Sequence, residues 1–346
     1  MKYHGINYDI GTQFTKGKFS RETFDLNVVQ KEIEIIKNEL HCNAIRISGQ
    51  EIVRLSQASE IALKLGLTVF FSPAYINATQ QETLDYLSQC ALAAEKLRLK
   101  YPNLIFVIGC ELSLFIQGFI RGDDIYIRLK RMFNFFFIVK KVFKIKSKFN
   151  RKLNDFLKEA VSMIKGNFSG QITYASGTWE EIDWTLFDII GIDHYRAFYN
   201  KSTYRKEMHP YMEHGKPVVV TEFGCCTYKG AEDAGGGGWA IIDWTKPKPE
   251  LKKEYTRDEG VQANYILELL DIFQEEKIAG ALVFTFVNPV YAYNEDPRYD
   301  LDMASYSVVK TFENPQKGSY KDMPWVPKKA FYKLAEYYAK INNYQA

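Results

Sequence analysis

Two glutamates stand where chemistry is easiest to build. Glu111 closes the run from Leu104 to Cys110, and Glu222 follows the run from Val218 to Thr221. Each is a carboxylate set directly after a short, almost uncharged, β-branched stretch. Such stretches read as strands buried on both faces, as in a parallel sheet. A carboxylate just past the end of one has left the core and faces whatever lies at that end of the sheet. Two carboxyls meeting there can divide the cleavage of a glycosidic bond. One protonates the leaving oxygen while the other attacks the anomeric carbon.

The elements that must position them alternate along the chain. Strand candidates are Gly5–Tyr8, Ala44–Ile47, Thr68–Ser72, Ile105–Ile108, Ile172–Ala175, Ile189–Ile192, Val218–Thr221 and Ala281–Phe286. Helical stripes lie between them, such as Val29, Ile33, Ile36 and Leu40, then Ala58, Ile61, Ala62 and Leu65. Thr79 with Glu82, and Thr256 with Glu259, read as capping boxes that open further helices. Eight β-then-α units predict an α/β fold, a single (β/α)8 barrel domain over residues 1–346. A doubly wound open sheet is the structural rival, but no Gly-rich phosphate fingerprint follows the first strand. In a barrel the fourth and seventh strands face each other across the mouth, which brings Glu111 and Glu222 together.

Thr221-Glu222-Phe223-Gly224 after a Val-rich strand resembles the nucleophile motif of the clan A glycoside hydrolases, which are (β/α)8 retaining enzymes. That resemblance implies Glu222 as nucleophile and Glu111 as acid/base. It also implies that Arg46, at the end of the second strand, and Tyr195, after the sixth, support the nucleophile. Two positions depart from the clan. Cys110 stands where Asn usually contacts the sugar 2-hydroxyl, and Thr285-Phe286 stands where Trp often floors a subsite. Both departures point to an unusual sugar or an altered activity. At closer range Val107–Phe115, Thr173–Glu180, Thr221–Tyr228 and Asp300–Tyr306 resemble signatures of bacterial barrel proteins labelled abortive infection proteins.

Substrate-binding candidates sit at the other strand ends: Asn7 and Asp9, Tyr75, Cys110, Trp179 and Glu180, Asp193 and His194, Trp239, and Phe286. Sugar recognition needs several such polar groups beside aromatic faces. Each also has a structural reading: an ion pair for the glutamates and Arg46, a core phenol for Tyr195, a loop cap for the polar residues. The enzyme reading therefore has a rival, a non-catalytic barrel that binds carbohydrate or a partner in phage defence.

Composition narrows the classes. At 46% hydrophobic and 25% charged, a chain of 346 residues has the makings of a soluble globular protein with a large core. A net charge of +3 is too small to imply nucleic acid as partner. Five cysteines without framework spacing, and no apolar leader after Met1, predict reduced thiols and a cytoplasmic location. Neither a metal nor an organic cofactor is expected. Two segments break the rhythm. Residues 121–152 hold eleven Lys or Arg around the apolar stretch Met132–Val139, too short to span a bilayer. They read as an excursion after the fourth strand that packs on the barrel, or else touches a membrane surface or a protein partner. Ala231–Trp239 contains four consecutive glycines and reads as a mobile lid that brings Trp239 over a ligand.

Overall fold

Eight parallel strands close into a barrel: β1 (Tyr3–Asp9), β2 (Ala44–Gly49), β3 (Thr68–Pro73), β4 (Leu104–Cys110), β5 (Gln171–Gly177), β6 (Ile190–Asp193), β7 (Val218–Phe223) and β8 (Gly280–Val283). Each pairs with its neighbour in sequence, and β1 pairs with β8 to complete the ring. The computed structural model describes residues 1–138, 143–314 and 318–345, with the side chains of 133–148 and 344–345 outside the description. Alternation along the strands sorts the side chains. Tyr3, Ala44, Phe70, Ile105, Val107, Ala175, Val219 and Leu282 fill the barrel interior. Further along the same faces come Asn7, four residues after Tyr3 on β1, and Arg46 and Ser72, two residues after Ala44 and Phe70 on β2 and β3, a polar layer above that plug.

The outward side chains meet α1 (Leu26–Asn38), α2 (Ile52–Lys64), α3 (Gln80–Arg98), the one-turn α4 (Leu112–Phe115), α5 (Ile125–Ile138), α6 (Phe143–Asn167), the one-turn α7 (His209–Met212), α8 (Glu259–Glu275) and α9 (Lys329–Gln345). The layer is uneven. Between β5 and β6 there is only the 3-10 turn Trp184–Leu186, and the buried rings of Trp184 and Phe187 cover the barrel there instead. The Thr79–Glu82 capping box opens α3 as expected. The second box does not form. Asp258 caps α8, accepting from Gly260 and Val261, while Glu259 pairs with Arg257. The excursion after β4 is α5 and the start of α6. Ile125 and Met132 pack with Leu114, and Arg128 is fully buried, donating to Leu114 O, Gly122 O, Phe115 O and Asn77 Oδ1. The apolar stretch Met132–Val139, read as a surface for membrane or partner, lies beyond Met132 outside the described side chains. Among the described residues no helix is long and apolar enough to cross a membrane.

Candidate active site

Irregular pairing at the strand ends shapes the mouth. The pairing slips by one residue on β4 between Val107 and Cys110, and on β7 between Val220 and Glu222 against β6 and between Val220 and Phe223 against β8. An extra residue in a strand re-aims the next side chain. Cys110, Asp193 and Glu222 thereby converge, with ligand atoms all within 4.8 Å of one another. These atoms could hold a metal, yet Arg46 already lies among them. Its Nη1 is 2.8 Å from Glu222 Oε1 and 3.9 Å from Asp193 Oδ1. Arg46 is itself locked by Asn7 Oδ1 at 3.3 Å and Ser72 Oγ at 3.2 Å.

The second oxygen of Glu222 is held too: Tyr195 donates its phenol hydrogen to Oε2 at 3.1 Å. Arg46 and Tyr195, expected to support Glu222, both reach it. The Cys110 thiol lies 3.2 Å from Asp193 Oδ2 and 3.6 Å from Glu222 Oε1. Burial, with Asp193 and Glu222 nearby, pushes its pKa well above the usual thiol value, so it stays an S–H donor. Asp193 also accepts from Thr221 Oγ1 at 2.7 Å, and burial beside Glu222 pushes its carboxyl up to about 8.

Glu111 is reached differently. It follows β4 in the left-handed conformation, φ 43° and ψ 45°, and its backbone starts α4. A non-glycine residue there costs about 1–2 kcal/mol, and such outliers gather at functional sites. Its side chain makes no cap hydrogen bond to α4. Burial, with Asp193, Glu222 and Glu180 close by, raises its pKa well above that of a free glutamate. The pair is therefore asymmetric: a glutamate ion-paired to arginine, and a glutamate that keeps its proton.

Other expected binding residues lie elsewhere. Asn7 is buried, its amide donating to Thr221 O, Leu282 O and Val283 O, so it braces Arg46 and the barrel wall rather than facing a ligand. Asp9 holds its own loop, accepting from Gly11 N, Thr12 Oγ1 and Ser20 Oγ. His194 is fully buried and stacked on Tyr204 at 4.2 Å, turned away from the mouth. Glu180 is buried and accepts from Ser113 N, Tyr174 Oη and Gly177 N. Phe286 is corrected as a subsite floor: β8 ends at Val283, and the Phe286 ring enters the helix layer against Tyr8 and Trp325. Tyr75 is half-buried with its ring 5.1 Å from Tyr86. Trp179 is half-buried, and its indole donates to Ser113 Oγ at 3.0 Å.

The glycine loop is also corrected. Ala231–Asp233 and Gly235–Ile241 form 3-10 turns, and Tyr306 Oη pins the second by accepting from Gly238 N and donating to Gly235 O. A Cβ on Gly238 would stand 2.8 Å from Cys226 Sγ and 2.9 Å from Tyr306 Oη, so glycine serves close packing there. Trp239 is half-buried and packs on the helix-side core. Sequence reasoning missed Tyr306, whose ring stands 5.8 Å from both Tyr195 and Phe284. Phe284 is the half-exposed aromatic of this segment, two residues before the one expected.

No family model matches this chain, and no curated protein matches it. Solved structures match its fold. A GH113 β-1,4-mannanase superposes with a TM-score of 0.61 at 13% identity, over 98% of this chain and 99% of that one. The GH113 β-mannanase of Alicyclobacillus acidocaldarius, in complex with ManMIm, gives 0.55 at 12% identity over 97% of each chain. A β-glucuronidase from Ruminococcus gnavus, bound to an N1-substituted uronic isofagomine, gives 0.56 at 13% identity over 98% of this chain and 49% of its own. None of the three carries the abortive infection label. At these identities the likeness is one of fold, and this chain shares its closed (β/α)8 barrel with them along nearly its whole length.

Proposed function

We propose that this chain is a retaining glycoside hydrolase. One observation carries the reading: at the barrel mouth, Glu222 is held through both oxygens by Arg46 and Tyr195, beside a glutamate whose surroundings keep it protonated. Glu222 attacks the anomeric carbon as the bond from that carbon to the leaving oxygen breaks, and Glu111 gives its proton to that oxygen. Glu111, now a carboxylate, takes a proton from water. The water oxygen attacks the same carbon and releases Glu222, restoring both side chains. The whole-length fold likeness to β-mannanases, and the likeness to a β-glucuronidase domain, support a carbohydrate substrate. Arg46 is committed to Glu222 and Asp193, which favours a neutral sugar over a uronate.

A panel of aryl β-mannosides, β-glucosides and β-glucuronides tests this. The expected outcome is aryl release by the native chain, abolished in Glu222→Gln and lowered by about 10²–10⁴-fold in Glu111→Gln. The first-formed sugar should keep its anomeric configuration by proton NMR. No release from the panel or from β-1,4-mannan, or release untouched by Glu222→Gln, overturns the reading. Cys110 favours a second reading, a non-catalytic carbohydrate-binding barrel. Saturable binding of a mannan oligosaccharide without turnover would establish that one.

A further inference from the structure

The left-handed turn at Glu111 is clamped from one side by β5. Glu111 N donates to Ala175 O at 2.8 Å, and Leu112 N donates to the Tyr174 hydroxyl at 2.7 Å. Tyr174 passes its own hydrogen to Glu180 Oε2 at 2.8 Å. Ser113 N donates to Glu180 Oε1 at 3.0 Å, and Gly177 N donates to Oε2 at 3.2 Å. The indole of Trp179 closes the set on Ser113 Oγ. Tyr174 and Glu180 are both buried. Every hydrogen around Glu180 points at it, so the side chain must act as a double acceptor. An amide there would turn an N–H toward an N–H.

We propose that Glu180 and Tyr174 are positioning residues for Glu111, fixing the backbone turn that aims its carboxyl at the leaving-group oxygen. The inference rests on the reading of Glu111 as acid/base. It assigns no contact with substrate to either residue. A misplacement of about 1 Å at a reacting group can cost about 100-fold in rate, and this clamp is what prevents it. In the first step, which kcat/KM reports, only proton donation depends on the aim of Glu111, so the loss there should fall on substrates that need that proton.

The test compares two glycosides of one sugar that the native chain cleaves. One carries an alkyl leaving group, which must be protonated to depart. The other carries 2,4-dinitrophenolate, which departs unaided. Glu180→Gln and Tyr174→Phe should each lower kcat/KM by about 100-fold on the alkyl glycoside and by less than about threefold on the dinitrophenyl one. Tyr174→Phe keeps the ring and removes one oxygen, so it carries the test if Glu180→Gln does not fold. Burial raises the Glu111 pKa, as do its titratable neighbours Asp193, Glu222 and Glu180, while Arg46 lowers it. Glu180→Gln should therefore shift the alkaline limb of kcat/KM to lower pH. Equal losses on both leaving groups, or none, would overturn the positioning role. A native chain that cleaves neither glycoside would instead remove the enzyme reading beneath it.

Discussion

Tyr195 and Arg46 divide the two oxygens of Glu222 between them, one through a phenol and the other through a guanidinium. A hydrogen bond to a charged group contributes about 1.5–3 kcal/mol. Tyr195→Phe is therefore expected to lower kcat by about 10–100-fold, with the melting temperature almost unchanged because the ring still packs against Tyr306. Normal turnover in that variant would show that the bond does not matter to the proposed role of Glu222. Asp193 gives a second expectation, on stability. Its carboxyl is pushed up to about 8 by burial and Glu222. A carboxyl that holds its proton more tightly when folded stabilises the fold fully below its unfolded pKa of about 4, and that contribution is lost as pH rises through about 8. The native chain should thus lose melting temperature between pH 4 and pH 8 more steeply than Asp193→Asn. Parallel curves for the two proteins would place Asp193 outside this balance.

At the level of elements, the glycine loop shows how composition misleads. Four glycines read as freedom, because nothing in the sequence reveals what stands beside them. In the fold Gly238 sits against Cys226 and Tyr306, whereas a Cβ on Gly237 would meet nothing within 4 Å. Gly238→Ala should destabilise by about 1–3 kcal/mol through overpacking. Gly237→Ala should be neutral or slightly stabilising, through a less flexible unfolded chain. Differential scanning calorimetry on the pair decides it, and similar melting temperatures would refute close packing at Gly238. Strand ends were the readable part. Glu111 and Glu222 follow from uncharged runs, and Arg46 from the resemblance to the clan A pattern. Phe286 was lost because the phase of a strand holds only while the strand lasts, and β8 stops at Val283. The clamp on Glu111 was unreadable for another reason. Tyr174 belongs to the helix-side core, and only the turn after β5 brings Glu180 up to it.

For the molecule as a whole, the closing seam depends on the last helix. Tyr338 of α9 donates to Gly5 O at 3.0 Å and packs beside His4, covering β1. Parallel strands are stable only with both faces covered. Removal of residues 329–346 is expected to abolish cooperative thermal unfolding, and a soluble truncated chain with a sharp melting transition would contradict this. Barrel closure also bears on when the protein can first act. Asn7, which orients Arg46, takes its own orientation from Thr221, Leu282 and Val283. The earliest-made part of the site therefore waits for nearly the latest. At about 5–20 residues per second, a ribosome needs some tens of seconds to deliver β8 after β1. Until β8 closes the ring, Asn7 lacks two of the carbonyls that orient it and cannot hold Arg46 toward Glu222, so a nascent chain arrested before β8 should show no trace of the proposed glycoside cleavage, however much of its helix layer has already formed.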